Sequence, residues 1–144
     1  LVYQPRIDLR TGRCAGAEAL LRWRHPVLGD ISPAEFVPLV EQTALARPMT
    51  EWVLGAALDQ QVAWRTQGVA LPVSVNVSAR NLEEADFLPR LDRQLAQRGL
   101  PASGLELELT ETALIRNADQ VLVQLEGLRD MGVTLAIDDF GTGC

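Results

Sequence analysis

The sequence predicts an α/β domain built mainly on parallel strands, and three observations carry that expectation. From about residue 72 onward, apolar runs of strand length alternate with helical segments of ten or more residues. Gly68, Gly99 and Gly132 each stand where a helical segment must end, a position that favours a left-handed residue. Near the N-terminus, a short turn joins two extended runs. These must be antiparallel, because a parallel crossover needs roughly a dozen residues. This order fits an open α/β sheet or the first five or so strands of a (β/α)8 barrel, which takes about 250 residues in full. Pattern alone leaves both open.

Residues 2–9 alternate with period two and read as a strand. Arg10-Thr11-Gly12-Arg13 is a turn in which Gly12 can take positive φ, and residues 14–23 form the second extended run. Ser32-Pro33-Ala34-Glu35 signals a helix start: Ser32 can cap, Pro33 suits the first helical position, and Glu35 would complete a capping box. Phe36, Val37, Leu39 and Val40 supply its apolar face up to about Thr43. A longer helix is expected over residues 50–67. Beyond it come a strand at 72–77, a helix at 83–98, a strand at 105–109, a helix at 118–131 and a strand at 133–138. Trp23, Trp52 and Trp64 are expected in the core, and His25 in a loop.

The chain has 144 residues, of which 47% are hydrophobic and 22% charged, enough for one domain with one core. A net charge of -6 argues against a basic nucleic-acid surface. It still permits a phosphate-bearing substrate held through a divalent cation. No apolar run approaches the ~18–20 residues of a membrane helix, and no signal peptide is recognisable. Cys14 and Cys144 have neither metal-ligand spacing nor a disulfide framework, which points to a cytoplasmic location. The chain opens on Leu1 rather than methionine and stops at Cys144, so both ends are expected to be cut.

Chemistry concentrates at the strand ends. Glu18 lies in the second strand, Asn76 near the end of the 72–77 strand and Glu108 in Leu105-Glu106-Leu107-Glu108-Leu109; Asp138 and Asp139 close the last strand. Period two sets Glu106 and Glu108 opposite the three leucines. Helix-covered parallel strands are normally apolar on both faces, so carboxylates there need a reason. Two carboxylates ~5 Å apart at an effective dielectric of ~20 repel by roughly 3 kcal/mol. A divalent cation turns that repulsion into ligation, and oxygen donors suit Mg²⁺, Mn²⁺ or Ca²⁺. Taken singly, each residue has a blander reading: a solvated edge glutamate, a turn asparagine, a strand-to-loop aspartate pair. Their coincidence at strand C-termini, where parallel α/β proteins place their sites, raises the metal reading. With one histidine and no nucleophile elbow, triad chemistry has little support. Gly141-Thr142-Gly143 is better read as a turn than as a phosphate cradle.

Tyr3-Gln4-Pro5, Glu18-Ala19-Leu20-Leu21-Arg22-Trp23, Ser32-Pro33-Ala34-Glu35-Phe36, Asn76-Val77-Ser78, Glu108-Leu109-Thr110-Glu111 and Asp138-Asp139-Phe140-Gly141-Thr142-Gly143 together resemble, in order, the successive motifs of EAL domains. The resemblance covers essentially the whole chain. It implies a (β/α)8 TIM-barrel variant with an antiparallel first strand, truncated after about five strands, with residues 1–144 a partial EAL domain. It also implies hydrolysis of cyclic di-GMP to linear pGpG with two Mg²⁺ or Mn²⁺ ions. Carried over by motif, Glu18, Asn76, Glu108 and Asp138 resemble ligands of one ion. Asp138 and Asp139 resemble ligands of the second, and Glu18, Asp138 and Asp139 the catalytic carboxylates. Arg22 is similar to a substrate-phosphate contact, Gln4 and Leu20 to pocket residues, and Glu111 to a glutamate that steadies a loop near the metals. Cyclic di-GMP is the expected partner, with no nucleic-acid polymer and no membrane segment, and a homodimer through the parent domain is allowed.

In this family a lysine on the next strand and a later glutamate complete the site, and both positions lie beyond Cys144. Cys144 itself departs from the family's usual aromatic residue. Intact metal-type positions favour an active parent phosphodiesterase. The alternative is a non-catalytic EAL module that binds cyclic di-GMP or a protein. The 144 residues alone are expected to be inactive, because a barrel cut after five strands exposes sheet edges and apolar surface.

Overall fold

The N-terminal hairpin forms as its short turn requires. In the computed structural model, which describes residues 1–110 and 118–138, strand β1 (Val2–Ile7) pairs antiparallel with β2 (Cys14–Leu20). The turn closes through Gly12 N–H donating to Asp8 O at 2.7 Å, with Gly12 at φ 67°. The expected second run of residues 14–23 is shorter than it looked. The chain leaves the sheet after Leu20, and β3 (Trp23–His25) and β4 (Gly29–Ile31) make a separate small hairpin. His25 closes it by accepting from the Val27 and Leu28 N–H groups at 3.1 Å each, so this histidine shapes a turn.

Helix α1 (Pro33–Glu41) starts at the proline as expected. The capping box does not form there. Ser32 makes no side-chain cap bond, and its carbonyl takes the Glu35 N–H at 2.9 Å instead. Helix α2 (Ala46–Thr66) begins four residues before the expected start. Pro48 sits in its first turn, where a missing N–H has no intrahelical partner to lose. Strand β5 (Val73–Val77) follows. A short α3 (Ala79–Leu82) that the sequence did not suggest comes next, and the helix expected at 83–98 starts four residues later, as α4 (Phe87–Arg98). Pro89 explains the later start: deeper inside a helix it would cost a hydrogen bond, whereas it lies in the first turn of α4. Gly99 ends α4 in the left-handed conformation at φ 61°. A single 3₁₀ turn (Ala102–Gly104) leads into β6 (Leu105–Thr110), and α5 (Ala118–Met131) into β7 (Thr134–Asp138).

The main sheet has the order β1-β2-β5-β6-β7, antiparallel only between β1 and β2. Its helix-covered face carries Val73, Val75, Val77, Leu105, Leu107 and Leu109, all buried against a core that includes Leu54, Ala57 and Leu58 of α2 and Leu91 and Leu95 of α4. Gln61 of α2, also buried, donates to Leu71 O at 3.0 Å and Gly104 O at 2.8 Å, fixing the helix to the segments that enter β5 and β6. The tryptophans correct an expectation. Trp52 is 57% and Trp23 44% exposed, and only Trp64, edge-on to Tyr3 at 5.2 Å, joins the core margin. Val53, Leu54, Ala57 and Leu58 occupy the sheet-facing side of α2, which leaves Trp52 on the outer one.

Candidate active site

Period two decides which side chains share the face away from the helices. Because Val73, Val75 and Val77 turn toward α2, Ser74 and Asn76 turn the other way, and Glu106, Glu108 and Thr110 do likewise on β6. Register adds Gln4 and Glu18, paired directly across β1 and β2, with Glu18 level with Ser74. On β7 the backbone of Asp138 lies level with Thr110, one step beyond Glu108. The expected residues Gln4, Glu18, Asn76 and Glu108 therefore belong to one face. The Asp138 side chain, Asp139 and Glu111 fall outside the described residues.

Glu18 and Asn76 touch: the asparagine Nδ2 donates to Glu18 Oε1 at 3.0 Å. Glu108 feels Glu18 as charge. Burial first, and then the Glu18 carboxylate, push its carboxyl up to about 7, with Ser74 and Arg6 pulling the other way. Leu20 and Arg22 stand at the end of β2, where a cleft of about 1020 Å³ opens between that strand end, α1 and α3. Arg22 is exposed and donates to Leu21 O at 2.8 Å. Asn76, Leu20, Arg22 and Thr110 all line this cleft, so the carboxylate face and the cleft are continuous.

Sequence reasoning missed Arg6. Its guanidinium, from β1, hydrogen-bonds Glu106 on β6, and the same Nη1 lies 3.4 Å from Glu108 Oε1. Ser74, fully buried, donates to Glu106 Oε1 at 2.9 Å. Burial works to raise the Glu106 carboxyl, but these donors and the Arg6 charge hold it below its ordinary value. On a flat sheet β1 and β6 would be about 14 Å apart, so contact between their side chains means that this face is concave, as in a barrel. The signal was available: Arg6 shares a period-two face with Gln4 in a strand that pairs with the one carrying Glu18.

The donor set can be tested against the cations it is expected to hold. Glu18 and Glu108 supply carboxylates and Asn76 an amide oxygen, the hard donors that Mg²⁺ and Mn²⁺ take. The upward push on Glu108 comes first from burial and then from the Glu18 carboxylate, and it persists although Arg6 opposes it. These residues fit. Among the described residues no group of three His, Cys, Asp or Glu is placed to hold a metal. No helix among them is long and apolar enough to cross a membrane.

Comparison with known proteins gives the family. The sequence model of the EAL domain matches residues 1–144. A Pseudomonas aeruginosa protein named cyclic di-GMP phosphodiesterase PA2567 is 52% identical over 143 residues, 99% of this chain but 24% of that protein. The chain therefore spans about a quarter of that relative's length. A structure of the PaMucR phosphodiesterase in complex with c-di-GMP superposes with a TM-score of 0.92 at 43% identity, covering 99% of this chain and 58% of that one. The FimX EAL domain of Pseudomonas aeruginosa bound to c-di-GMP gives 0.84 at 26% identity, covering 96% and 55%.

Proposed function

Because this chain belongs to the EAL domain family, we propose that it forms the N-terminal portion of a domain that hydrolyses cyclic di-GMP to linear pGpG in the cytoplasm. The observation that carries the proposal is the pairing of Glu18 with Asn76 at 3.0 Å beside a Glu108 pushed up to about 7. Glu18, Asn76, Glu108 and Asp138 would hold one Mg²⁺ or Mn²⁺, and Asp138 with Asp139 a second. When bound, such ions supply the positive charge that offsets charge developing on the phosphodiester.

The chain's own groups do the rest. Asn76 holds the Glu18 carboxylate in place through its amide. Arg22 offers a guanidinium to a substrate phosphate at the mouth of the cleft. Leu20 gives a guanine base an apolar wall, and Gln4, directly opposite Glu18, offers an amide to the substrate. Glu111, outside the described residues, would take the loop-positioning role that the family resemblance implies. The test is incubation of the full-length parent protein with Mn²⁺ and cyclic di-GMP, with pGpG quantified by chromatography. Product well above a Glu18→Ala control is expected, and none above it would overturn the proposal.

A second reading is a module that holds cyclic di-GMP without cleaving it. It is favoured by the Arg6 contact to Glu108, which sets a fixed cation among the metal-type donors. Calorimetric binding of cyclic di-GMP with no turnover would establish it, and rapid turnover would exclude it.

A further inference from the structure

Arg6 reaches the site because β2 makes room for it. In the hairpin register Arg6 stands opposite Gly16. A Cβ on Gly16 would meet Pro72 O at 3.1 Å and Arg6 Nη2 at 3.4 Å, tighter than or at the limit of ordinary packing, so the bare glycine lets the arginine stem cross β2. Beyond it the guanidinium hydrogen-bonds Glu106, which also accepts from the buried Ser74 hydroxyl at 2.9 Å. From Arg6, Glu108 receives the longer contact, 3.4 Å from the same Nη1. One cation is thus shared unequally between two carboxylates two residues apart on one strand face.

We infer that Arg6 is a built-in counter-cation of this site, engaging Glu106 so that it stays out of metal ligation and competing with a divalent ion for Glu108. Its role is positioning. The inference rests on the metal reading proposed above. It has a signature of opposite signs that a merely structural prop would lack. Arg6→Gln removes one positive charge beside Glu108, and Mn²⁺ affinity is expected to rise about tenfold. Glu106→Gln weakens the hold on Arg6, which then turns its full charge on Glu108, and affinity is expected to fall about tenfold. Arg6→Lys keeps the charge and is expected to stay within about threefold of wild type.

The readout is calorimetric titration of Mn²⁺ into the chelator-treated full-length protein without substrate, with a thermal melt of each variant. An Arg6→Gln affinity equal to or weaker than wild type, or a Glu106→Gln affinity equal or tighter, overturns the inference. If Arg6→Gln does not fold, Glu106→Gln decides by the same criterion. Wild-type protein that binds no Mn²⁺ overturns the metal reading and this inference together. Wild-type binding that is indifferent to these substitutions overturns this inference alone.

Discussion

Asn76 donates to Glu18 Oε1 at 3.0 Å across the boundary between β5 and β2, joining two residues 58 positions apart in sequence. Glu18 is level with Ser74, and Asn76 lies one pleat further on the same face, so the contact follows from parallel register and strand periodicity. Asn76 also lines the cleft, so the carboxylate is tied to a residue of its wall.

Glu18→Ala is expected to lower pGpG formation by the full-length protein by on the order of 100-fold, as loss of a charge-stabilising group does. Mn²⁺ affinity should fall with it, while the thermal midpoint stays within a few degrees, because the substitution also removes a repulsion on Glu108. Turnover assays, metal titration and a melt check the three parts.

The pH dependence of stability has a sign set by Glu108. Its carboxyl is pushed from 4.5 up to about 7, so the fold favours the neutral form. The resulting stabilisation is complete below about 4.5 and is lost as pH rises through about 7. Glu106 works oppositely: burial notwithstanding, Arg6 and Ser74 lower its carboxyl, and its contribution is lost as pH falls below the ordinary 4.5. Urea unfolding of chelator-treated protein between about pH 4.5 and 7.5 should therefore show a decline that Glu108→Gln removes. Mn²⁺ affinity should rise over the same range, since ligation requires the carboxylate.

Leu107→Ala should destabilise the protein by about 3 kcal/mol, the middle of the range for a large buried aliphatic side chain. Leu107 is fully buried and pairs in register with Val75 on one side and Leu135 on the other. Chemical denaturation measures the loss.

Gln61→Leu should cost about 2 kcal/mol, because the Leu71 and Gly104 carbonyls lose their shared donor. Gly104→Ala should act through the same group: its Cβ would fall 2.6 Å from Gln61 Nε2, displacing that end of the side chain. If both hydrogen bonds matter, the double variant should cost little more than either single one in a thermodynamic cycle.

Much of the fold was legible from residues that act locally. Gly12 and Gly99 take the left-handed conformation their positions call for, and α5 has the expected bounds of residues 118–131. Failures came where two local rules competed. Pro48 and Pro89 were compatible with a first helical turn, so α2 began earlier and the helix expected at 83–98 began later, at Phe87. Trp23 and Trp52 are large and apolar yet exposed, since which side of a helix or hairpin meets the sheet depends on partners distant in sequence.

Strand periodicity determined by itself that Glu106 and Glu108 would turn away from the leucines of β6, because alternation along a strand is a property of the backbone; the register of the folded sheet set Glu18 and Asn76 on the same face. Only the tertiary structure decided that Arg6 would lie among them. A charge's neighbours are set by how the sheet curves and by the room Gly16 leaves, and the Arg6–Glu106 contact joins residues 100 positions apart, beyond the reach of any local pattern.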